Sequence, residues 1–260
     1  MAVYCIALPK GGSSKTTTAA ELVWALAQRG RRVLAIDLDQ QGNLTTRMGI
    51  TPQSEIAGTT ADVLDGSVPL EDAAEPAPSV PGAHIIAGAH DLTALEEHPP
   101  ADLVTALRDM LTTVGERWDD VVIDTPPNVG QVTLAGLAAA DHVIVSVQAA
   151  TEAYDQIDRL EEVIARRLAR RIRPGLAISA VIPALVDERR LIDRDVMTLL
   201  ADRFGDRVTP PIRQAVAVRD AYTAGMTVSA YDPASSVAGD YTAAMNHLLT
   251  LTMGDSRAQA

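Results

Sequence analysis

The stretch PKGGSSKTTT, Pro9 to Thr18, lies between an apolar run and a segment with helical periodicity, and it decides the fold. A common phosphate-binding loop has the pattern G-x-x-x-x-G-K-[ST]. With Lys15 as the motif lysine, the two required glycines fall on Pro9 and Ser14. The loop therefore departs from the common pattern, although it keeps a glycine pair, Gly11–Gly12, and a Lys-Thr pair.

The flanking segments supply the strand–loop–helix order that a phosphate-binding loop requires. The run AVYCIAL, Ala2 to Leu8, is apolar and partly β-branched and predicts a buried strand. The segment TTTAAELVWALAQRG predicts a helix that closes at Gly30. Backbone N–H groups of the loop and of the first helical turn would then face phosphate oxygens. The residues that we predict to bind the phosphates are Gly11, Gly12, Ser13, Ser14, Lys15, Thr16 and Thr17.

Lysine occurs at only two positions, Lys10 and Lys15, and both lie in this loop. The remaining basic residues of the 22 are all arginines. A lysine carries a compact charge on a flexible stem, whereas arginine presents a planar fork. Two lysines in one glycine loop therefore indicate contacts with phosphate groups.

Carboxylates follow two further predicted strands at their carboxyl ends. Asp37 and Asp39 end the run RRVLAIDLD, and Asp124 ends the apolar run in WDDVVIDTPPNVG. Ligands of open α/β sheets bind at this edge, and a carboxylate ending such a strand holds Mg²⁺ in phosphate-loop enzymes. We therefore predict a magnesium site made by Thr16, Asp39 and Asp124.

Composition excludes several classes of protein. The net charge of −12 opposes non-specific binding of polyanions, so any contact with nucleic acid requires a local basic patch. A single cysteine provides neither a disulfide framework nor a cysteine cluster for a metal. The N-terminus has no basic region typical of a signal peptide, and no apolar run is long enough to span a membrane. We expect a cytoplasmic protein without a membrane partner.

Alternating strands and helices predict a parallel, doubly wound sheet. The motifs KGGSSKTTT, DLDQQGNLT, VVIDTPPN and GMTVSAYDPASSVAGDY together resemble the ParA/MinD family of P-loop ATPases with the deviant Walker A box, and the short, Soj-like ParA form in particular. The expected fold is a single-domain α/β P-loop NTPase with a mostly parallel sheet flanked by helices. We expect this domain over residues 1–250 and a flexible tail over 251–260. Strands are expected near residues 2–8, 32–38, 83–87, 119–124, 141–147 and 176–182.

The resemblance implies an activity and a set of partners. ATP and Mg²⁺ would be the cofactors, with weak, partner-stimulated hydrolysis in an ATP-dependent homodimer. Lys15 would hold the phosphates, Lys10 would cross to the nucleotide of the other subunit, and Asp39 would orient the attacking water. The dimer would bind non-specific DNA of the nucleoid, and a ParB-like protein would trigger release, so that a plasmid or chromosome is segregated.

Two further residue groups are implied by the same resemblance. The nucleotide base would contact Pro211, Ile212 and Arg213, although the family commonly has proline where this chain has Arg213. The candidate DNA-binding residues are Arg189, Arg190, Arg194 and Arg219. An alternative interpretation of the arginine-rich segments near residues 159–173 and 189–194 is a solvated, salt-bridged helix face.

Two other functions stay open at this point. One is a related ATPase that positions a protein cargo or polar scaffold without segregating DNA, which the acidic charge and Ala217, at a slot where arginine is common, favour. The other is a metabolic P-loop enzyme, such as a synthetase of the dethiobiotin type. Lys10 has no evident role in an enzyme of that kind.

Overall fold

The computed structural model describes residues 1–150 and 152–255. Its strands are β1 (Ala2–Ile6), β2 (Val33–Asp37), β3 (Glu75–Pro76), β4 (Ala83–Ile86), β5 (Asp120–Asp124), β6 (His142–Gln148) and β7 (Ile178–Ala184). Its helices are α1 (Lys15–Ala27), α2 (Asn43–Arg47), α3 (Thr60–Leu64), α4 (Leu70–Ala73), α5 (Leu92–Glu97), α6 (Leu103–Thr113), α7 (Gln131–Ala139), α8 (Ala153–Val163), α9 (Leu191–Phe204), α10 (Ala217–Thr223), α11 (Val228–Tyr231) and α12 (Ser236–Asp255). A π-helical turn, Ile164–Leu168, continues α8, and a 3-10 turn, Gly205–Arg207, follows α9.

The strands form one seven-stranded sheet in the order β3-β4-β2-β5-β1-β6-β7. All neighbours are parallel except β3, which pairs antiparallel with β4. The predicted single-domain α/β fold and its six strands are confirmed. Strand β3 was not predicted, because it spans only two residues of a proline-containing connection and offers no alternation of polar and apolar residues.

Both faces of the sheet are covered, which explains why its central strands are almost continuously apolar. One face packs against α3 to α9, with Leu107, Leu137 and Leu160 among the buried side chains. The other packs against α1, α2 and α10 to α12, where Leu22 and Leu248 are fully buried. This arrangement leaves the carboxyl ends of the parallel strands as the open edge, where the loops meet.

The carboxyl end of the described chain differs from the expectation of a flexible tail over 251–260. Helix α12 continues to Asp255, so 251–255 are helical, while 256–260 lie outside the described residues. The Thr252 hydroxyl donates to the Leu248 carbonyl at 3.1 Å and lies 3.3 Å from the Tyr4 hydroxyl. This packing against β1 holds the last helical turn in place. None of the described helices combines the length and apolar character needed to cross a membrane.

Candidate functional site

The loop between β1 and α1 has two residues with left-handed backbone conformation. Gly12 has φ 72°, which glycine adopts at no steric cost. Ser14, at the start of α1, has φ 67° and ψ 16°. The loop is anchored to β6, because the Ser146 hydroxyl donates to the Ser13 carbonyl at 2.7 Å and accepts from Thr18 at 3.1 Å. The loop is thus held in shape before any ligand binds.

Ser14 predicts a stabilising substitution. A left-handed conformation costs a residue with a Cβ atom roughly 1–2 kcal/mol, and the Ser14 side chain makes no capping hydrogen bond that would offset this cost. Glycine removes that penalty but adds freedom to the unfolded chain, so Ser14→Gly should stabilise the protein by about 0.5–1 kcal/mol. Thermal unfolding should show Tm raised by about 1–3 °C. Ser14→Ala is the matched control and should leave Tm near the wild-type value; a lower Tm for Ser14→Gly would contradict the prediction.

The two lysines of the loop point to different places. The Lys15 side chain is buried, and its Nζ donates to the Lys10 carbonyl at 2.7 Å. Burial lowers the pKa of Lys15, and the carboxylates of Asp124 and Asp39 oppose that shift. The Lys10 side chain is partly exposed, with its Nζ 3.9 Å from the Glu152 carboxylate. Lys15 therefore serves the interior of the loop, and Lys10 is available at its surface.

Asp37 and Asp124 end neighbouring strands in register, and both are fully buried. Asp37 accepts hydrogen bonds from the backbone of Asp39 at 3.0 Å and from the backbone and hydroxyl of Thr45 at 2.9 and 2.8 Å. Burial raises its pKa to about 6, against the effect of these bonds. The hydrogen-bonding capacity of Asp37 is thus used to hold the loop that carries Asp39.

Asp124 is different, because neither oxygen of its carboxylate has a hydrogen-bond partner within the described residues. Burial and the neighbouring Asp37 raise the pKa of Asp124, partly offset by the Thr16 hydroxyl and Lys15. A buried carboxylate without hydrogen bonds is costly unless a cation or donor binds it. Asp124 thus lies near the Thr16 hydroxyl and the Lys15 ammonium; its role in a magnesium site with Thr16 and Asp39 stays a prediction.

This set of side chains fits magnesium. Mg²⁺ is commonly held by one or two carboxylates and completed by substrate phosphates and water. The carboxylates available here are Asp124 and Asp39, and the Thr16 hydroxyl is a further oxygen donor. The described residues contain no group of three or more His, Cys, Asp or Glu side chains that could hold a metal, which argues against an all-protein metal cage.

Asp39 lies where the loop after β2 meets the phosphate loop. One carboxylate oxygen accepts from the backbone of Gln41 at 3.0 Å, and the residue is 8% exposed. Gly88 makes this position possible, since a Cβ atom there would lie 2.7 Å from the Asp39 carbonyl and 2.8 Å from the Asp37 carboxyl carbon. Asp39 thus lies beside the phosphate loop, whereas the Asp37 carboxylate is hydrogen-bonded within the loop that follows β2.

A cavity of about 420 Å³ opens above the phosphate loop. Its lining includes side chains that sequence reasoning missed: Asn43, Arg47 and Tyr222. The Tyr222 hydroxyl donates to Asn43 at 2.8 Å, and the Arg47 guanidinium lies 5.2 Å from the Tyr222 ring centre. Asn43 could have been found from the DLDQQGNLT motif, but Tyr222 is 179 residues away and only the fold brings it there. The cavity lining consists of Gly11, Gly12, Ser13, Ser14, Lys15, Thr16, Thr17, Asp39, Gln41, Asn43, Arg47, Pro127 and Tyr222.

The residues predicted to contact the nucleotide base lie outside that cavity. Ile212 is buried, and its backbone donates to Pro183 at 2.8 Å, beside the end of β7. Pro211 and Arg213 line a separate cleft of about 690 Å³, where Arg213 forms an ion pair with Asp240 at 2.6 Å. Their assignment to the base stays a prediction.

The candidate DNA-binding arginines are all exposed. Arg189 and Arg190 both contact the carboxylate of Asp187, at 2.8 and 3.7 Å. The two arginine guanidinium groups hold the pKa of Asp187 below its usual range. Arg194 follows on α9, in the same segment, whereas Arg219 lies on α10. The structure therefore groups three of the four residues, and their role stays a prediction.

Comparisons with known proteins find relatives over most of the chain. The family described as "AAA domain" matches residues 1–178. The chain is 35% identical over 235 residues to the chromosome partitioning protein ParA of Caulobacter vibrioides, covering 88% of this chain and 87% of that protein. It is 34% identical over 241 residues to the chromosome-partitioning ATPase Soj of Thermus thermophilus, covering 91% and 90%. The crystal structure of cobyrinic acid a,c-diamide synthase from Mycobacterium smegmatis, with bound ADP and magnesium, matches with TM-score 0.81 and 30% identity, covering 98% of this chain and 96% of the other.

Proposed function

The chain belongs to the ParA/MinD family of P-loop ATPases, and on that premise we propose that it is an ATP-dependent partition ATPase. The observation that carries the proposal is the pairing of two differently placed lysines with the buried carboxylate of Asp124. Lys15 lies inside the loop beside Asp124 and Thr16, whereas Lys10 is partly exposed at its surface. Lys15 would serve the phosphates of a bound nucleotide, and Lys10, whose side chain is partly exposed beside Glu152, would reach a second subunit.

Nucleotide binding follows from the site's charges and donors. The Lys15 ammonium would leave the Lys10 carbonyl for the β- and γ-phosphates, because a phosphate is the stronger acceptor. Asp124 and the Thr16 hydroxyl would hold Mg²⁺, which when bound neutralises charge that develops on the phosphates during hydrolysis. Asp39 would orient the attacking water from the opposite side of the cavity. The chain thereby supplies positioning and charge, which are the main contributions to phosphoryl transfer.

The proposed cycle depends on two subunits. In the ATP-bound homodimer, the Lys10 of each subunit would approach the phosphates of the other, so that dimerisation requires ATP. The dimer would bind nucleoid DNA without sequence preference, through Arg189, Arg190, Arg194 and Arg219. A ParB-like partner would stimulate hydrolysis and release the protein. The output would be the segregation of a plasmid or chromosome in the cytoplasm.

Two competing functions are distinguishable from this one. A positioning ATPase for a protein cargo or scaffold would form the same ATP dimer but bind no DNA; the net charge of −12 favours it. A metabolic enzyme is favoured by the 30% identity to cobyrinic acid a,c-diamide synthase, and it would turn over ATP only with a small-molecule substrate. The partition relatives are 34–35% identical over most of the chain, which is why the partition function is preferred here.

A titration of random-sequence duplex DNA tests the proposal. ATP-loaded protein should bind DNA at low salt, and ADP-loaded protein should bind much more weakly, since dimerisation doubles the footprint without new contacts. Affinity should fall with salt at a log–log slope of about −0.9 per neutralised phosphate. Arg189→Ala/Arg190→Ala should weaken the ATP-dependent binding about ten-fold or more, equally for any base sequence.

Arg29→Ala/Arg32→Ala is the matched control, because it removes the same charge from exposed positions outside the proposed footprint. ATP-loaded wild-type protein that shows no DNA affinity at low salt would reject DNA partition. If that protein nevertheless dimerises with ATP, the cargo-positioning function takes its place.

A further inference from the structure

Arginines crowd the carboxyl end of α8 and the turns that follow it. Arg167 lies in the π-helical turn, and Arg170 and Arg171 lie in the turn that closes it. All three side chains are exposed, as is Arg159 on α8. Within residues 1–150 and 152–255, none of these four guanidinium groups makes an ion pair or a side-chain hydrogen bond. They contrast with Arg189 and Arg190, which share the carboxylate of Asp187.

Three carboxylates of α8 are already engaged by other arginines, which leaves fewer partners for this group. Arg203 of α9 takes both Asp158 and Glu161, at 2.6 and 2.7 Å. Glu162 pairs with Arg166 at 2.7 Å, one helical turn along. The ion pairs expected as an alternative from sequence thus form at Arg166 and at Arg173, which pairs with Asp141. Within the described residues, Arg159, Arg167, Arg170 and Arg171 make no such pair and are exposed.

This surface lies at the opposite edge of the sheet from the nucleotide site. Helix α8 begins near the phosphate loop, since Glu152 lies 3.9 Å from the Lys10 ammonium. It runs back along β6, and Arg173 then binds the carboxylate of Asp141 and the carbonyl of Ala140, just before β6 begins. The phosphate loop follows the carboxyl end of β1, which is parallel to β6. Arg167, Arg170 and Arg171 therefore follow the far end of α8, and none of the four arginines lines the cavity above the phosphate loop.

We propose that Arg159, Arg167, Arg170 and Arg171 form a second binding surface for duplex nucleic acid, contacting backbone phosphates whether or not ATP is bound. Arginine forks bind phosphates in a bidentate manner and carry no base preference in such contacts. A lipid surface is the less suitable partner, because Ile164 and Leu168 are buried in the core and the exposed large apolar side chains of the described residues lie in other segments. The inference rests on the proposed function and adds a weak, nucleotide-independent hold on the same DNA.

The test compares ADP-loaded proteins on random duplex DNA at low salt. Arg167→Ala/Arg170→Ala/Arg171→Ala should lose at least about ten-fold in affinity, and its salt slope should become shallower by about 0.9 per lost contact. Arg29→Ala/Arg32→Ala/Arg117→Ala removes the same charge from exposed positions elsewhere and should keep the wild-type slope. The triple Arg→Lys variant at 167, 170 and 171 retains charge and should keep most of the affinity. Thermal unfolding confirms that each variant is folded.

The outcomes separate this inference from the proposed function. Equal ADP-state affinity of the triple alanine variant and wild type would overturn the second surface, whatever the ATP-loaded protein does. Equal losses for the control triple would overturn it too, since net charge alone would then explain the effect. Preferential binding to phosphatidylserine vesicles over duplex DNA, removed by the same substitutions, would assign the surface to lipid. ATP-dependent binding lost only in Arg189→Ala/Arg190→Ala would support the proposed function independently.

Discussion

Replacing Lys15 with alanine is expected to abolish ATP binding. The Lys15 ammonium is buried in the loop, where it donates to the Lys10 carbonyl, 2.7 Å away. In the nucleotide complex that charge would neutralise phosphates that the acidic neighbours Asp124 and Asp39 otherwise repel. Truncating one partner of such a buried charge pair costs about 2–5 kcal/mol, which is roughly 30- to several-thousand-fold in affinity. Titration calorimetry with ATP and Mg²⁺ measures the loss.

The variant should remain folded. Burial already lowers the pKa of Lys15, so the protein gives up a charge that is costly to bury. The main local loss is the hydrogen bond to the Lys10 carbonyl, worth about 1 kcal/mol. Lys15→Arg is a useful companion, because it keeps the charge but not the compact shape, and should also bind poorly. Wild-type ATP affinity in Lys15→Ala would show that the phosphate site lies elsewhere.

The sequence made the sheet and the phosphate edge predictable for one physical reason. Parallel strands buried on both faces are short apolar runs. Ligand-binding side chains lie at their carboxyl ends, as Asp37 and Asp124 do. The pattern could not show which carboxylate at this edge is already hydrogen-bonded to the protein and which remains available to a ligand. The Asp37 carboxylate accepts three hydrogen bonds from Thr45 and the Asp39 backbone, whereas the Asp124 carboxylate accepts none within the described part of the chain. That difference depends on backbone hydrogen bonds that no residue spacing encodes.

Contacts between segments that are far apart in the chain could not be predicted from the sequence either. The Tyr222 hydroxyl meets Asn43 across the cavity, and Arg47 donates to the Val218 carbonyl at 3.2 Å, which ties α2 to α10. The arginine segment after α8 shows the same limit. Its arginines and carboxylates were compatible with either a salt-bridged face or a basic patch. In the structure, Arg203 of α9 forms ion pairs with two of the carboxylates of α8. Which arginine pairs with a given carboxylate depends on how the helices pack, and residue spacing within one helix does not show it.

Asp39→Ala is expected to lower ATP turnover by about 10²–10⁴-fold while leaving ATP binding largely intact, because proton-transfer and water-positioning groups contribute on that scale. The phosphates would still have Lys15, the loop N–H groups and Asp124. The consequence is an ATP-bound dimer that accumulates, which light scattering with ATP detects as a stable doubling of mass. Single-turnover measurement of phosphate release gives the rate of hydrolysis itself.

Asp39→Asn separates chemistry from loop structure, because its side-chain oxygen can still accept from the Gln41 backbone, as the Asp39 carboxylate does at 3.0 Å. If Asp39 acts through its charge on the attacking water, Asn should be nearly as slow as Ala and equally dimeric. Lys10→Ala is the opposite case: it should retain ATP affinity in the single subunit and lose the dimer, since the Lys10 side chain is partly exposed and its Nζ lies 3.9 Å from the Glu152 carboxylate. Hydrolysis at the wild-type rate in Asp39→Ala would remove Asp39 from the reaction. Dimerisation of Lys10→Ala with ATP would leave the exposed lysine without its proposed role across the interface, because Lys15 alone would then suffice.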